Sequence, residues 1–405
     1  MRPLAAGATV HRGVFHRLPM GETRMPRVTG YGYSVPTNGN DIPVSENFWP
    51  ANPICIPMSD FRVVRLDTPM EAHTFDARLG SAPGLDLKVF ALRGPEETAW
   101  AAFGRAHVYH IASARDDLPP QWFANRDLLE RTPSLLAVST YGAGYDTVDV
   151  AACTEAGVCV MNQAGSNAAA VAEHALGLML GLSKRIAESD RRLRRGERFA
   201  RHEAIGADLE GAVLGLVGIG HTGTRVARLA HAFGMRVLAC DPNLQAQEIQ
   251  RRGAEPVSMP TLLAAADVVS LHCPLEVATR GMIGRAEFAM MKRGALFITT
   301  ARGGIHDEDA LYEALVERRL AGAGLDVWAV EPPAVKHPLL ALDTVIATNH
   351  TAGVTKGSRR MMASMGAEQI IGLSEGQCPP RIVNPEVLPL FGRRFQEMLG
   401  RPLRG

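Results

Sequence analysis

The chain has 405 residues, which is long for one ordinary domain and sufficient for two of roughly 150–200 residues each. With 46% hydrophobic and 21% charged residues, its composition is typical of a globular protein with a packed core. The net charge of +1 excludes a strong long-range attraction to nucleic acid or to an anionic membrane surface. No apolar run approaches the roughly 20 residues of a membrane-spanning helix, so we expect neither nucleic acid nor membrane as a partner.

The six cysteines show no CxxC or other metal-binding spacing. They are scattered along the chain at Cys55, Cys153, Cys159, Cys240, Cys273 and Cys378. Such scatter over large domains is typical of free, mostly buried thiols in a reducing compartment. We therefore expect a cytoplasmic protein with no bound metal.

Residues 1–57 contain Gly, Pro, Asn and Arg in no periodic order. Such a segment cannot bury enough apolar surface to offset the entropy of ordering it. Its early part contains Arg and few acidic residues, as a transit peptide does, but Gly and Pro interrupt any amphipathic helix. We expect a disordered N-terminal extension, or a misassigned start site with Met58 as the functional start.

From residue 61 onward, strand-like apolar runs alternate with helical segments. The first series of predicted strands covers residues 61–66, 87–92, 107–112, 135–139 and 158–162. One long helix is predicted next, over residues 168–194, because apolar residues recur there at helical spacing. A second series of predicted strands covers residues 213–217, 236–240, 268–272, 295–299, 323–327 and 345–348.

Helices are also predicted over residues 307–318 and from 355 to about 375, followed by a tail. Two series of βα units with a long helix between them predict an α/β protein with two parallel-sheet domains. No internal repeat of solenoid period is visible.

A glycine-rich turn follows the predicted strand 213–217 and has the pattern GxGxxG. Gly218 allows the tight turn, Gly220 lets the backbone approach a pyrophosphate, and Gly223 lets the next helix pack closely on the strand. That helix is predicted over residues 224–233. The pattern in this setting predicts a dinucleotide-binding site.

The residues after Gly220 complete this predicted site. His221 and Thr222 lie between Gly220 and the predicted helix, whose free N–H groups and dipole favour the negative charge of phosphates. Asp241 ends the following strand, about twenty residues beyond the motif. Its carboxylate would accept hydrogen bonds from the adenosine ribose and repel a 2′-phosphate. The sequence therefore predicts NAD as cofactor, in preference to NADP.

Three further polar residues, Arg302, Glu331 and His350, lie at the ends of predicted strands. Ligands of open parallel sheets bind outside the carboxyl ends of the strands. Converging there, the three side chains can form an anion-binding cation, an acid/base group and its carboxylate partner. Taken singly, each is more typical of a surface charge or a structural side chain, and the hypothesis depends on their convergence.

Several motifs resemble the signatures of the D-isomer-specific 2-hydroxyacid dehydrogenases, a family that includes phosphoglycerate dehydrogenases and glyoxylate/hydroxypyruvate reductases. The resemblance extends from about residue 85 to residue 385. The motifs, in chain order, are YGAGYDTVD at 141–149, the segment 167–174, TARGG at 300–304, LDV followed by EPP at 325–333, and TNHTAG at 348–353.

The resemblance implies two Rossmann-like or flavodoxin-like domains with the active site in the cleft between them. Residues 58–162 and 353–388 would form the substrate domain, residues 163–352 the NAD-binding domain, and residues 389–405 a C-terminal tail. A homodimer is also implied, with the long helix after Asn167 and its surroundings packed against the second subunit.

The resemblance also implies individual roles. His350 would protonate the substrate carbonyl oxygen, and Glu331 would hydrogen-bond the other ring nitrogen and keep the pKa of the imidazole high. Arg302 would bind the carboxylate and carbonyl oxygens of a 2-oxo acid. Backbone N–H groups of one loop would bind the same carboxylate, at Tyr141, Gly142, Ala143 and Gly144. Further cofactor contacts are expected at Cys273, Pro274, Ala301, His350 and Gly353, and at Asp326, which would hold the nicotinamide carboxamide.

Departures from the family pattern narrow the expected chemistry. Glu331 favours hydroxyacid chemistry, because the related formate dehydrogenases pair the histidine with glutamine. Thr140 stands where phosphoglycerate dehydrogenases usually carry arginine, and Tyr141 makes the loop similar to that of glyoxylate and hydroxypyruvate reductases. Asn349 replaces the usual proline, which predicts a looser turn before His350. These residues favour a small, unphosphorylated 2-oxo acid as substrate.

Two alternative functions remain open. One is D-3-phosphoglycerate dehydrogenase, and the other is a non-enzymatic NAD(H)-sensing interaction protein, since the family includes corepressors of the same fold. The arginine-rich run at 191–195 is interpreted as an exposed helix end, because no aromatic residues are interleaved with it.

Overall fold

The computed structural model describes residues 61–68 and 71–404. These residues form two parallel β-sheets with helices on their faces, which confirms the predicted α/β class and the two parallel-sheet domains. The predicted N-terminal extension over residues 1–57, and the start proposed at Met58, lie outside the described residues.

The first sheet is built from the first series of predicted strands. Its strands are β1 (Phe61–Asp67), β2 (Leu85–Ala91), β3 (Val108–Ala112), β4 (Ala137–Tyr141) and β5 (Cys159–Met161). They pair in parallel in the order β2-β1-β3-β4-β5. The connecting helices are α1 (Ala72–Gly80), α2 (Glu96–Phe103), α3 (Arg126–Arg131) and α4 (Val150–Glu155).

The long helix predicted over residues 168–194 is in fact two helices, α5 (Ala168–Ser183) and α6 (Ile186–Arg194). The helix is interrupted at Arg185, whose backbone has a left-handed φ of 52°. The Arg185 guanidinium bonds the Glu188 carboxylate and the Glu203 carbonyl, and these bonds compensate for the interrupted helix. Apolar periodicity continues through the break, so the sequence pattern did not reveal it.

The second sheet has seven strands and a reversal of strand order. Its strands are β6 (Val213–Val217), β7 (Arg236–Cys240), β8 (Glu255–Pro256), β9 (Val268–Leu271), β10 (Ala295–Thr299), β11 (Leu320–Leu325) and β12 (Val345–Ala347). They pair in the order β12-β11-β10-β9-β6-β7-β8. The chain therefore moves outward from β6 to β8 and then returns to the other side of β6, which creates the switch point where ligands of such sheets bind.

Five helices connect these strands: α7 (His221–Ala232), α8 (Ala246–Arg251), α9 (Met259–Ala265), α10 (Arg285–Met290) and α11 (Glu308–Val316). Helix α5 covers one face of the same sheet, and a Cβ at Gly324 of β11 would meet Leu178 of α5 at 2.9 Å. The helix predicted over residues 224–233 begins three residues earlier, directly after Gly220.

The chain finally returns to the first sheet through α12 (Lys356–Ser374) and α13 (Leu388–Leu399). The predicted C-terminal tail over residues 389–405 is wrong, because α13 packs into the core. Phe391 and Phe395, one helical turn apart, are fully buried, and Arg394 donates hydrogen bonds to the carbonyls of Ala156 and Gly157. The spacing of four between the two phenylalanines was the available signal in the sequence.

Apolar clusters lie on both faces of each sheet. Among the helices of residues 61–404 that the structure describes, none combines the length and apolar character needed to cross a membrane. Within the same part of the chain, His, Cys, Asp and Glu side chains do not gather into a group that could hold a metal ion.

Candidate active site

The three polar residues singled out in the sequence follow three neighbouring strands. Arg302 comes after β10, Glu331 after β11 and His350 after β12, and these strands are adjacent in the sheet. Because all three strands are parallel, their carboxyl ends meet at one edge. The fold therefore brings the three side chains to the same edge of the second sheet.

His350 and Glu331 form a direct pair. The Nδ1 atom of His350 lies 2.8 Å from Oε2 of Glu331, and the other carboxylate oxygen accepts a hydrogen bond from the Trp328 backbone N–H at 3.1 Å. About a third of the His350 side chain is exposed. Its Nε2 atom has no hydrogen-bond partner within the described residues. The carboxylate thus fixes the ring and leaves one nitrogen available.

The pair shifts both pKa values in the direction of an ion pair. The hydrogen bond and charge of Glu331 hold the pKa of His350 above its usual value, although burial and Arg302 act in the opposite direction. Burial by itself would raise the pKa of Glu331, but His350, the Trp328 N–H and Arg302 together bring it below its usual value. The imidazole is therefore a better proton carrier at neutral pH than an isolated histidine.

The His350 backbone has a left-handed φ of 52°, a conformation that residues other than glycine adopt uncommonly. Its N–H donates to the Asp326 carbonyl at 2.7 Å, and the N–H groups of Thr351 and Ala352 donate to the Asp326 carboxylate at 2.8 and 2.9 Å. Three consecutive amides anchored on one residue hold this turn. The looser turn expected from Asn349 in comparison with proline stays a prediction.

Asp326 is fully buried, and its carboxylate also accepts a hydrogen bond from the Thr348 hydroxyl at 2.6 Å. The Thr348 oxygen in turn lies 3.0 Å from Nε2 of His174 on α5. Both carboxylate oxygens of Asp326 are thus bonded to the chain itself. Its contact with the nicotinamide carboxamide stays a prediction, whereas its support of the His350 turn is visible in the structure.

Arg302 lies between the two sheets. Its guanidinium is 3.4 Å from the Asp146 carboxylate and donates to its own neighbour's carbonyl, that of Ala301, at 2.8 Å. A Cβ added to Gly144 would come within 2.6 Å of the guanidinium, so the loop after β4 touches it directly. Gly303 permits the close approach on the other side, because a Cβ there would collide with the Trp328 carbonyl oxygen at 1.8 Å.

The loop predicted to bind the substrate carboxylate offers fewer free groups than expected. The Gly142 N–H already donates to the side-chain oxygen of Gln163 at 2.7 Å. The Tyr141 hydroxyl accepts from the Glu71 N–H and donates to the Arg359 carbonyl, so it connects the starts of α1 and α12. Within the described part of the chain, the N–H groups of Ala143 and Gly144 meet no acceptor, and these two remain for a ligand.

The glycine-rich turn has the geometry that a dinucleotide requires. Gly218 has a φ of 88° and lies against the backbone of Cys273, where a Cβ would come within 2.9 Å. A Cβ at Gly223 would collide with the Gly218 carbonyl at 2.4 Å, so only glycine allows α7 to pack so closely. A Cβ at Gly220 would meet nothing within 4 Å and would project into open space above the turn.

This open space fits the pyrophosphate of NAD. The first N–H groups of α7, those of His221, Thr222 and Gly223, have no acceptor within the described residues, and the helix dipole favours an anion beside them. The turn is additionally held by Thr224, whose hydroxyl donates to the Gly220 carbonyl at 2.8 Å. The residues present therefore fit the predicted cofactor.

Two of the other predicted cofactor residues, Asp241 and Cys273, contact the glycine-rich turn. Asp241 accepts hydrogen bonds from the Ile219 and Asn243 N–H groups at 3.0 and 3.1 Å, so it also supports the glycine turn. Burial raises the pKa of the Cys273 thiol to about 11, and the thiol is therefore neutral. Of the others, Ala301 is buried, Pro274 is exposed, and Gly353 lies against the Asn167 side chain.

Gln163, Thr348 and His174 also contact the site, and no role was predicted for them from the sequence. Gln163 is the second residue after β5, and Arg302, Glu331 and His350 likewise come a few residues after their strands. Position at the carboxyl end of a parallel strand was therefore the available signal. Nothing in the local sequence indicated that Thr348 and His174, 174 residues apart, would meet.

The sequence is similar to proteins of known family. The NAD-binding domain of the D-isomer specific 2-hydroxyacid dehydrogenases matches residues 176–352. A glyoxylate reductase from Korarchaeum cryptofilum is 39% identical over 274 residues, covering 67% of this chain and 82% of that protein. A D-3-phosphoglycerate dehydrogenase from Archaeoglobus fulgidus is 36% identical over 264 residues, covering 65% of this chain and 50% of that protein.

The fold is similar to that of a glyoxylate reductase from Paecilomyes thermophila, with a TM-score of 0.71 and 30% sequence identity. This match covers 82% of our chain and 99% of that chain, so it includes both sheets. The matched NAD-binding domain contains Arg302, Glu331 and His350. The chain therefore belongs to the D-isomer-specific 2-hydroxyacid dehydrogenase family.

Proposed function

We propose that this chain reduces a small, unphosphorylated 2-oxo acid such as glyoxylate or hydroxypyruvate, with His350 as the acid/base group. The chain is an NAD-dependent oxidoreductase that acts on 2-hydroxy acids. The observation that carries the more specific proposal is that the His350–Glu331 pair shares its sheet edge with Arg302, whose guanidinium touches the loop that bears the Ala143 and Gly144 N–H groups.

Bound NADH would supply a hydride to the carbonyl carbon of the substrate. His350 donates its Nε2 proton to the carbonyl oxygen in the same reaction, so that the products are a 2-hydroxy acid and NAD⁺. Glu331 holds Nδ1, keeps the ring oriented and stabilises its protonated form. In the reverse direction, the neutral imidazole removes the hydroxyl proton.

Arg302 and the loop amides orient the substrate for this step. The guanidinium presents a fork of donors that suits the carboxylate and carbonyl oxygens of a 2-oxo acid. The N–H groups of Ala143 and Gly144, on the loop that touches the guanidinium, supply further donors to the carboxylate. This arrangement positions the carbonyl group near His350, and orientation of this kind contributes strongly to rate.

Charges around the loop support an unphosphorylated substrate. Thr140 is fully buried and its hydroxyl bonds the Gly142 carbonyl at 3.4 Å, so no cation occupies this position. Burial and the neighbouring Asp116 raise the pKa of Asp117 above its usual value, although the charges of Arg359 and His350 act in the opposite direction. The Asp117 carboxylate is close enough to His350 to interact with its charge, and where it is ionised it would repel a substrate phosphate.

The direct test is NADH oxidation against a panel of six acids: glyoxylate, hydroxypyruvate, pyruvate, phenylpyruvate, 2-oxoglutarate and phosphohydroxypyruvate. We expect the highest kcat/KM with glyoxylate or hydroxypyruvate. A preference for phosphohydroxypyruvate would instead favour the phosphoglycerate dehydrogenase alternative. NADH binding without turnover of any of the six would favour the NAD(H)-sensing alternative.

Replacing Glu331 by glutamine should shift the pH dependence of the reaction. Glu331 raises the pKa of His350, so reduction proceeds fully below this raised pKa and declines as the pH rises through it. The Glu331→Gln variant loses the ionic partner, and the alkaline limit of kcat/KM for reduction should move to lower pH. An unchanged pH profile of kcat/KM in the variant would contradict the proposed pair.

Replacing Asp241 by asparagine should weaken the preference for NADH over NADPH by at least about tenfold in kcat/KM, because a charge that repels the 2′-phosphate is lost. Asparagine keeps one oxygen that can accept from the Ile219 or Asn243 N–H. The Asp241→Ala variant, which loses both bonds, serves as the comparison and should also bind NADH less tightly. Equal use of both cofactors by the unchanged chain would refute the role of Asp241.

A homodimer is part of the proposal. Exposed apolar side chains gather on the segment after α5, where Ile186, Leu193 and Ile205 are 58%, 66% and 72% exposed. A grouping of this kind is typical of a surface that binds another protein chain. We assign it to a second copy of this chain, and a cytoplasmic location stays a prediction.

A further inference from the structure

We infer that Asn162 and Gln163 are positioning residues that aim the Ala143 and Gly144 N–H groups at the substrate carboxylate. The two residues follow β5, at the point where the chain leaves the first sheet for the second. The inference rests on the proposed function, because it concerns the same substrate site. It is carried by three hydrogen bonds between this dipeptide and the loop after β4, and by a fourth from the Ala164 N–H that orients the Asn162 side chain.

Gln163 binds Gly142 at two points. Its backbone N–H donates to the Gly142 carbonyl at 2.8 Å, and its side-chain oxygen accepts from the Gly142 N–H at 2.7 Å. Gln163 is fully buried, so neither bond competes with water. Gly142 has a φ of 108°, a conformation that other residues rarely adopt, and the two bonds hold it there.

Two buried polar side chains, those of Ser139 and His110, continue the hydrogen-bond network behind the Gln163 amide. The side-chain nitrogen lies 3.4 Å from the Ser139 hydroxyl, which in turn lies 3.1 Å from Nδ1 of His110. Burial, with a smaller contribution from the charge of Arg65, lowers the pKa of His110 to about 3, so this histidine is neutral. Because the Gly142 N–H can only donate, the oxygen of the Gln163 amide faces it and the nitrogen faces the Ser139 hydroxyl.

Asn162 holds the next carbonyl of the same loop. Its side-chain nitrogen donates to the Ala143 carbonyl at 2.9 Å. Its side-chain oxygen accepts from the Ala164 N–H at 3.1 Å, which fixes the orientation of the Asn162 amide. The dipeptide thus binds two consecutive carbonyls of the loop from one side.

Because the peptide bond is planar, the bonds to the two loop carbonyls also determine where the N–H groups of Ala143 and Gly144 point. The carbonyl of one residue and the N–H of the next belong to one plane and point in opposite directions when the bond is trans. Because Gln163 holds the Gly142 carbonyl, the Ala143 N–H points away from the dipeptide. Because Asn162 holds the Ala143 carbonyl, the Gly144 N–H also points away from the dipeptide. Arg302 lies next to this residue, since a Cβ added to Gly144 would come within 2.6 Å of the guanidinium.

The test uses Asn162→Ala and Gln163→Met in the full chain. Gln369→Met is the matched control, since Gln369 is equally buried and donates to the Asn162 carbonyl without touching the loop. We expect KM for glyoxylate and the dissociation constant of oxamate, an unreactive 2-oxo acid analogue, to rise about tenfold in both variants. The KM for NADH should stay unchanged, and the control should change neither constant.

Hydrogen exchange gives a readout that does not depend on turnover. In the NADH complex, peptides spanning residues 141–146 should exchange faster in both variants than in the unchanged chain and in the control. Equal exchange, or equal losses in KM for NADH and for the oxo acid together with a lower Tm, would overturn the inference. If the unchanged chain neither reduces an oxo acid nor binds oxamate, the proposed function fails, and the exchange result still decides whether the dipeptide holds the loop.

Discussion

Replacing His350 by asparagine should lower kcat for 2-oxo acid reduction by about 10²- to 10⁴-fold, because no other group donates the proton to the carbonyl oxygen. Asparagine is the informative substitution. His350 has a left-handed backbone, and asparagine tolerates this conformation better than alanine does. The measurement is kcat at saturating NADH and glyoxylate, together with the dissociation constant of NADH.

The control for this prediction is His350→Ala, in which the backbone strain is less well tolerated. Both variants should bind NADH nearly as tightly as the unchanged chain, because the glycine turn that holds the pyrophosphate is formed by other residues. Loss of NADH binding in the asparagine variant would mean that His350 is structural. Retention of most of the activity would remove it from the mechanism.

Replacing Arg302 by methionine should lower kcat/KM for the 2-oxo acid by about 10²- to 10³-fold, because the substrate loses the fork of donors that orients its carboxylate. The Arg302→Lys variant should recover only a small part of this loss, since an ammonium group keeps the charge without the fork. The readouts are kcat/KM for glyoxylate and the dissociation constant of oxamate in the presence of NADH.

Asp146 provides the matched control, because its exposed carboxylate lies 3.4 Å from the Arg302 guanidinium. An ion pair this exposed contributes little to stability. The Asp146→Asn variant should therefore keep most of the activity and fold normally. Full recovery of kcat/KM by lysine would contradict bidentate binding and leave Arg302 as a simple positive charge.

The sequence alone was sufficient for features whose physics is local. The glycine turn at Gly218, Gly220 and Gly223 was predicted from its spacing, because the backbone conformation and close contacts that need glycine there involve mainly residues nearby in the sequence. The strands were predicted from short apolar runs, and Arg302, Glu331 and His350 from their places just beyond three of those runs. Parallel strands end at one edge of a sheet, so their convergence also followed from the order of elements.

Helix boundaries within continuous apolar patterns were less accessible. The break at Arg185 depends on bonds to Glu188 and to the Glu203 carbonyl, and the second of these comes from a distant turn. The spacing of Phe391 and Phe395 was compatible with a helix, but α13 was interpreted as a tail because the first sheet on which these residues are buried lies far away in the sequence. In both cases the deciding contact lies outside the window in which periodicity is measured.

Only the tertiary structure decided which polar groups of the site remain available to ligands. In the folded chain the Gly142 N–H donates to Gln163, and the Asp326 carboxylate accepts from Thr348, Thr351 and Ala352. Among the described residues, the N–H groups of Ala143 and Gly144 meet no acceptor. The physical reason is that hydrogen bonds are satisfied by whichever donor and acceptor folding brings within about 3 Å. Residue type and spacing determine what a group can do, whereas the fold determines whether it is still free to do it.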